Sequence, residues 1–202
     1  MQAMQQQLPH VYPNLVALCS PVMGSGKSEV AKVFIEQGYV LVKFAHPLKE
    51  MVRALFRSIG VPENVIERMV EGDLKEEVIE DLGVTPRFLM QTLGTEWGRQ
   101  TVNENLWTTL FSVRVRNLLA RGKNVICDDM RFSNEVETVK ALGGTSVRVV
   151  RPSTYVDQVH RNGGYHASEG ELDFHTTDFL ITNSGTLDDL RENVLALIRD
   201  RF

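Results

Sequence analysis

The sequence predicts an α/β protein, a three-layer fold around a five-stranded parallel sheet. Short apolar runs of strand length alternate with longer amphipathic stretches, the pattern of βαβ units. The 202 residues suit one compact domain. A 43% apolar content supplies a core that needs neither disulfides nor a structural metal.

The first element is an apolar strand over Leu15 to Cys19, followed by a Gly-rich turn and a helix from about Ser28 to Gln37 that Gly38 stops. Tyr39 to Phe44 reads as the second strand, and Pro47 opens a helix through Phe56. Val61 to Leu82 is charged and helical, punctuated by Gly60, Gly72 and Gly83. Two further helices are expected at about Pro86 to Gln100 and Asn103 to Ala120, the first with Thr85 as N-cap and Pro86 at its first position. Asn124 to Asp129 is the third strand, Asn134 to Leu142 the helix behind it, and Thr145 to Arg151 the fourth strand. Pro152 to Asn162 reads as helical. Gly163-Gly164 breaks it, and the stretch to Thr177 reads as a flexible lobe. Phe179 to Thr182 is a short fifth strand and Leu187 to Arg201 a closing amphipathic helix. Such a doubly wound sheet binds ligands outside its strand carboxyl ends.

The sharpest local signal is Pro21-Val22-Met23-Gly24-Ser25-Gly26-Lys27-Ser28, between an apolar strand and a helix, where a P-loop belongs. Backbone N–H groups of Gly24, Ser25, Gly26, Lys27 and Ser28 would wrap a β-phosphate, with Glu29 completing the donor-side set. Lys27 would reach the β- and γ-phosphates, and the Ser28 hydroxyl would ligate Mg²⁺. Pro21 replaces the first Gly of the pattern. Asp128-Asp129 closes the third strand as a Walker B acid would, with Asp129 the second metal ligand. Donor ATP and Mg²⁺ are therefore the expected cofactors.

A P-loop alone does not define the acceptor. A nucleoside monophosphate offers an oxygen that is already anionic, since its second pKa is about 6, so it needs no general base. It needs cations that bring two mutually repelling anions together. Arg87, Gln91 and Arg99 recur along one predicted helix, Arg131 follows Asp129, Arg151 ends the fourth strand, and Arg161 precedes the Gly163-Gly164 break. Any one of these arginines could equally be a solvated surface residue. Lys49 could simply face water. Glu135 either orients Arg131 or is a solvated helix acid, and the spacing leaves both open. Trp97 and Trp107 read first as packing aromatics, with base stacking the alternative. His46 and His166 lack a Cys or paired His at zinc-ligand spacing.

The chain resembles the phage-type deoxynucleoside monophosphate kinases, a branch of the P-loop nucleotide kinases. The resemblance is carried by Phe44-Ala45-His46-Pro47-Leu48-Lys49, by the run from Arg87 through Gln91-Thr92-Leu93-Gly94-Thr95-Glu96-Trp97-Gly98-Arg99, by Trp107, by Asp129-Met130-Arg131-Phe132-Ser133-Asn134-Glu135, and by Asp178 through Gly185. It implies a single P-loop kinase domain over 1–202. Its core would be about 14–44, 124–151 and 178–202, with a monophosphate-binding helical region at about 45–123 and a short lid at about 152–177. Lys49, Arg87, Gln91 and Arg99, with Trp97 and Glu135, would then serve the acceptor nucleotide. Lys27, Asp129, Arg131 and Arg151 would carry catalysis, Arg161 and His166 the lid, and Asn183 and Gly185 the donor base.

The alternative acceptor is a hydroxymethylated pyrimidine base in phage DNA. It would want a general base such as Asp129 and a basic groove. A formal charge of −4 argues against that groove without excluding nucleic acid. A third reading, a nucleotide-dependent switch without transfer, leaves the dense acceptor-side motif unused. The Gln-rich start has neither the basic nor the apolar stretch of a signal peptide, and no apolar run reaches membrane-spanning length. A cytoplasmic enzyme is expected, in the host cytoplasm if phage-encoded, with Cys19 and Cys127 reduced. A homodimer is left open.

Overall fold

The computed structural model describes residues 14–21, 24–152, 172 and 175–202. Within them lies a five-stranded sheet of order β2-β3-β1-β4-β5, every neighbouring pair parallel. The strands are β1 (Leu15–Cys19), β2 (Val40–Leu41), β3 (Val125–Cys127), β4 (Thr145–Val150) and β5 (Phe179–Thr182). The helices are α1 (Lys27–Glu36), α2 (His46–Ser58), α3 (Glu63–Val70), α4 (Pro86–Thr92), α5 (Leu106–Leu119), α6 (Ser133–Ala141) and α7 (Leu187–Arg201). A 3₁₀ turn occupies Asp73–Glu76, and a π-helix, Leu93–Val102, continues directly from α4.

Every residue of β1 and β3 is buried, as helices on both faces of a parallel sheet demand. Alternation along β1 divides the two faces. Val16 and Leu18 join the core that Val30 and Phe34 of α1 share with Leu190 and Val194 of α7. Leu15 points the other way, where a Cβ on Gly144 would crowd both it and Val139 of α6. The result is the expected three-layer α/β arrangement.

The chain forms two compact units, one of residues 1–41 and 115–202, the other of residues 42–114. The first holds the sheet. The second is helical, with a core of Val52, Phe56, Ile66, Met69 and Val70. In the same unit, Phe44 stacks on Phe111 with ring centroids 3.8 Å apart.

Several elements differ from expectation. The second strand covers only Val40–Leu41, and the buried Val42 and Phe44 beyond it belong to the unit of residues 42–114. The 61–82 stretch holds α3 and the 3₁₀ turn. The single helix expected from Pro86 to Gln100 is α4 followed by the π-helix. The helix expected at Pro152 to Asn162 and the flexible lobe fall mostly outside the described residues. No described helix is long and apolar enough to cross a membrane.

Candidate active site

In the sheet unit, the register places Ala17 of β1 beside Cys127 of β3 and Cys19 beside Arg148 of β4. Asp128 and Asp129 are therefore level with the end of β1, where the glycine-rich turn departs. β1 leads toward β2 and β4 toward β5, so the ends of these adjacent strands form a switch point of the doubly wound sheet.

Two glycines shape the turn. Gly24 has φ 75° and Gly26 φ 101°, a left-handed region that side chains rarely adopt. Gly26 caps α1, whose first-turn amides lack intrahelical partners and carry the positive end of the helix. A Cβ on Gly26 would also lie 2.5 Å from the Asn183 amide nitrogen. That amide, 7% exposed, donates to the Ser25 carbonyl at 3.0 Å and ties the turn to the chain after β5. The Ser25 hydroxyl is buried with no hydrogen-bond partner among the described residues, a donor from which a phosphate oxygen would accept.

Lys27 carries the clearest electrostatic signature of this turn. Burial and then the Arg131 charge push its ammonium pKa down, while Cys19, Asp128 and Asp129 act in the opposite sense. A polyanion bound beside a half-buried ammonium in the field of another cation offsets both penalties. Asp129 accepts a hydrogen bond from the Cys127 thiol at 3.3 Å, and burial, reinforced by that carboxylate, holds the thiol pKa well above normal. Arg131 is exposed, but its main chain is fixed. Glu135, 2% exposed, accepts from the N–H groups of Arg131 at 2.7 Å and Phe132 at 3.2 Å. Glu135 is thus a buried acid that braces the main chain of the strand-to-helix turn bearing Arg131, not a solvated one.

Mg²⁺ keeps several waters and needs only one or two carboxylates besides phosphate oxygens. The Ser28 hydroxyl on the exposed first turn of α1 and the strand-end acids fit that need. Among the described residues no three His, Cys, Asp or Glu side chains gather as a dedicated metal cage.

Other donor-side expectations resolve individually. The Glu29 carboxylate pairs with Lys32 at 2.8 Å. Gly185 adjoins the α7 cap, where a Cβ would strike the Asp189 carboxylate that Thr186 binds. Arg151 is exposed just past β4. Arg161 and His166 lie outside the described residues.

In the helical unit, the Thr85 hydroxyl caps α4 by accepting from the Phe88 N–H at 3.1 Å, and Arg87 and Gln91 share one face of that helix. The π-helix changes the turn before Arg99, so Arg99 is not in α-helical phase with them. Trp107 clamps this segment. Its indole Nε1 donates to the Gly94 carbonyl at 2.8 Å, and a Cβ on Gly98 would fall 2.5 Å from its ring. Trp97 is partly exposed, its ring centroid 6.3 Å from that of Trp107.

Two of the cations expected on the acceptor side are paired with carboxylates. Lys49 meets Glu71 at 2.7 Å, and Arg87 bonds Glu76. Arg53, 8% exposed, binds Glu67 through two nitrogens and reaches Glu50 and Glu71 as well. Lys43 and Lys75 join Lys49 in the field of Glu71. The motifs did not single out Lys43, Lys75 or the loop-tying role of Asn183. Lys43 directly precedes the Phe44-Ala45-His46-Pro47-Leu48-Lys49 run, and that adjacency is the one signal that could have found it.

A glycine-lined turn between β1 and α1, with a lysine and strand-end acids on a parallel sheet, has the features of a P-loop nucleotide-binding site. Comparison with known proteins narrows the class. The deoxynucleotide monophosphate kinase family matches residues 27–194, and the chain belongs to that family. It is 26% identical to a protein of Acanthamoeba polyphaga mimivirus provisionally named a deoxynucleotide monophosphate kinase, over 87% of this chain and 91% of that protein. The deoxynucleotide monophosphate kinase of Escherichia phage RB69 is 29% identical over 56% of this chain and 44% of its own length. Among solved structures, a dephospho-CoA kinase from Campylobacter jejuni superposes with TM-score 0.52 over 93% of this chain and 96% of its own at 13% identity, which shows a shared fold. The protein is a nucleotide kinase.

Proposed function

We propose that this enzyme transfers the γ-phosphoryl group of ATP to the 5′-phosphate of a deoxynucleoside monophosphate, with Mg²⁺, giving the diphosphate and ADP. The observation that carries the reading is Lys27, a half-buried ammonium at a left-handed glycine turn, in the field of Arg131 and two strand-end carboxylates. Backbone amides from Gly24 to Ser28 would hold the β-phosphate, and Lys27 the β- and γ-oxygens. Ser28 and Asp129 would hold the metal ion, which when bound neutralises charge on the transferring group.

The acceptor oxygen is anionic near neutral pH, so no residue need take a proton from it. Repulsion between the two phosphates is the obstacle, and Lys27, Arg131 and Arg151 are the cations assigned to offset it. Lys49, Arg87, Gln91 and Arg99 would anchor the monophosphate, with Trp97 available to its base. The reaction would run in a host cytoplasm, a setting the viral relatives support.

The test offers labelled ATP to free deoxynucleoside monophosphates and to hydroxymethylated DNA in parallel. Label in a nucleoside diphosphate supports the reading; label in the DNA alone would replace it with the DNA-kinase alternative.

A further inference from the structure

We propose that Lys43, Lys49, Lys75 and Arg87 form the seat of the acceptor's phosphate, and that the Glu71 carboxylate occupies this seat as an internal counter-ion until a phosphate monoester displaces it. The inference rests on the kinase reading and adds Lys43, Lys75 and Glu71 to its acceptor side.

Three separate elements carry Lys49, Lys75 and Arg87, Lys43 stands three residues before α2, and the charges of Lys43 and Lys49 act on both Glu71 and Lys75. Lys49 belongs to the first turn of α2, Lys75 to the 3₁₀ turn Asp73–Glu76, and Arg87 to the first turn of α4. Lys49, with a side chain 18% exposed, bonds one Glu71 oxygen at 2.7 Å, and Arg87 bonds Glu76, the residue after Lys75. Lys75 itself is half-buried and makes no ion pair among the described residues. Burial and the charges of Lys49, Arg87 and Lys43 lower its pKa, against the pull of Glu71. Packing like charges around a half-buried ammonium costs stability unless an anion uses them, and this pattern marks functional sites.

Glu71 already plays that part. Burial alone would raise its pKa, yet the Lys49 hydrogen bond and the charges of Lys49, Lys75 and Lys43 hold it below the usual range, so it stays ionised. One carboxylate brings one negative charge. A phosphate monoester brings about −1.5 to −2 with three acceptor oxygens, and so competes well for the same ammonium groups. The displaced carboxylate keeps a partner, because its other oxygen lies 3.3 Å from Arg53, which Glu67 holds by two bonds.

The full chain is titrated calorimetrically with a deoxynucleoside monophosphate, the matching deoxynucleoside and inorganic phosphate, as wild type, Lys75→Gln, Lys75→Arg and Glu71→Gln. Monophosphate binding should weaken about tenfold in Lys75→Gln and recover in Lys75→Arg, while deoxynucleoside binding and the KM for ATP stay level. Glu71→Gln, which can still bond Arg53, should tighten monophosphate and inorganic phosphate several-fold, and it carries the test if Lys75→Gln does not fold. Unchanged monophosphate affinity in Lys75→Gln, equal losses for ATP and monophosphate, or weaker phosphate binding in Glu71→Gln would each overturn the seat. Wild-type transfer with an unaltered KM in Lys75→Gln would fell the seat and leave the kinase reading. Phosphate-monoester binding that follows this pattern without any transfer would fell the kinase reading and leave the seat.

Discussion

The β1–α1 turn and the helical unit hold most of their cations differently. Around the β1–α1 turn, backbone geometry fixed by Gly24, Gly26 and Asn183 holds Lys27 in a partly buried position beside another cation. In residues 42–114, Lys49, Arg53, Arg57, Arg68 and Arg87 are each bonded to glutamate or aspartate. The first arrangement is prepared for a polyanion by the main chain. The second is self-neutralised by side chains, so an incoming anion has to exchange with carboxylates. Main-chain preorganisation marks the β1–α1 turn, and carboxylate pairing marks most cations of residues 42–114.

The largest effect should come from Lys27→Ala. Loss of a charge aimed at the transferring group should lower kcat/KM on the order of a thousandfold, with the fold intact by circular dichroism. Retained activity would remove the contrast at its source. Gly26→Ala forces a side chain into a φ of 101° and against Asn183, and should destabilise the protein by about 1–3 kcal/mol while weakening ATP binding more than monophosphate binding. Chemical denaturation and two separate titrations read this.

Acid should expose the other side of the comparison. Arg57 and Arg53 hydrogen bonds lower the pKa values of Glu63 and Glu67, and the Arg68 hydrogen bond lowers that of Asp73 to about 2. Groups depressed on folding stabilise the protein above their unfolded values, here 4.5 for Glu and 3.8 for Asp, and lose that stabilisation as pH falls through the folded ones. Lys27 runs the other way. Its lowered pKa is a penalty fully present below the folded value and relieved only as pH rises toward 10.5. Hydrogen-exchange protection, corrected for the intrinsic rate at each pH, should therefore fall in 42–114 before it falls in β1 and β3 between pH 5 and 2, and simultaneous opening would blur the distinction. The smallest effect is expected for Trp107→Phe, which keeps an aromatic ring but loses part of the buried indole and its bond to Gly94. About 1 kcal/mol of stability should go, with a few-fold higher KM for the monophosphate and an unchanged KM for ATP.

Legibility followed the same division. β1, β5 and α7 match their sequence boundaries, because bounded apolar runs and a capping Thr186–Asp189 pair are local signals. The second strand was overextended because an apolar run does not say which core receives it, and Val42 and Phe44 go to the helical unit's side. The π-helix was invisible for a related reason: its residues have ordinary helical propensity, and the departure is held by the distant Trp107. The phosphate turn was readable as a contiguous motif. The Lys49–Glu71 pair, 22 residues apart in sequence, and the approach of Lys75 to Arg87 were not, since charged residues at such separations carry no pairing signal until the chain folds.

The most direct measurement is a coupled ADP-release assay with ATP and Mg²⁺ across the deoxynucleoside and ribonucleoside monophosphates, each product verified as a diphosphate. The account predicts turnover with at least one deoxynucleoside monophosphate and its loss in Lys27→Ala. ADP release that no monophosphate stimulates, with no diphosphate formed, would contradict it.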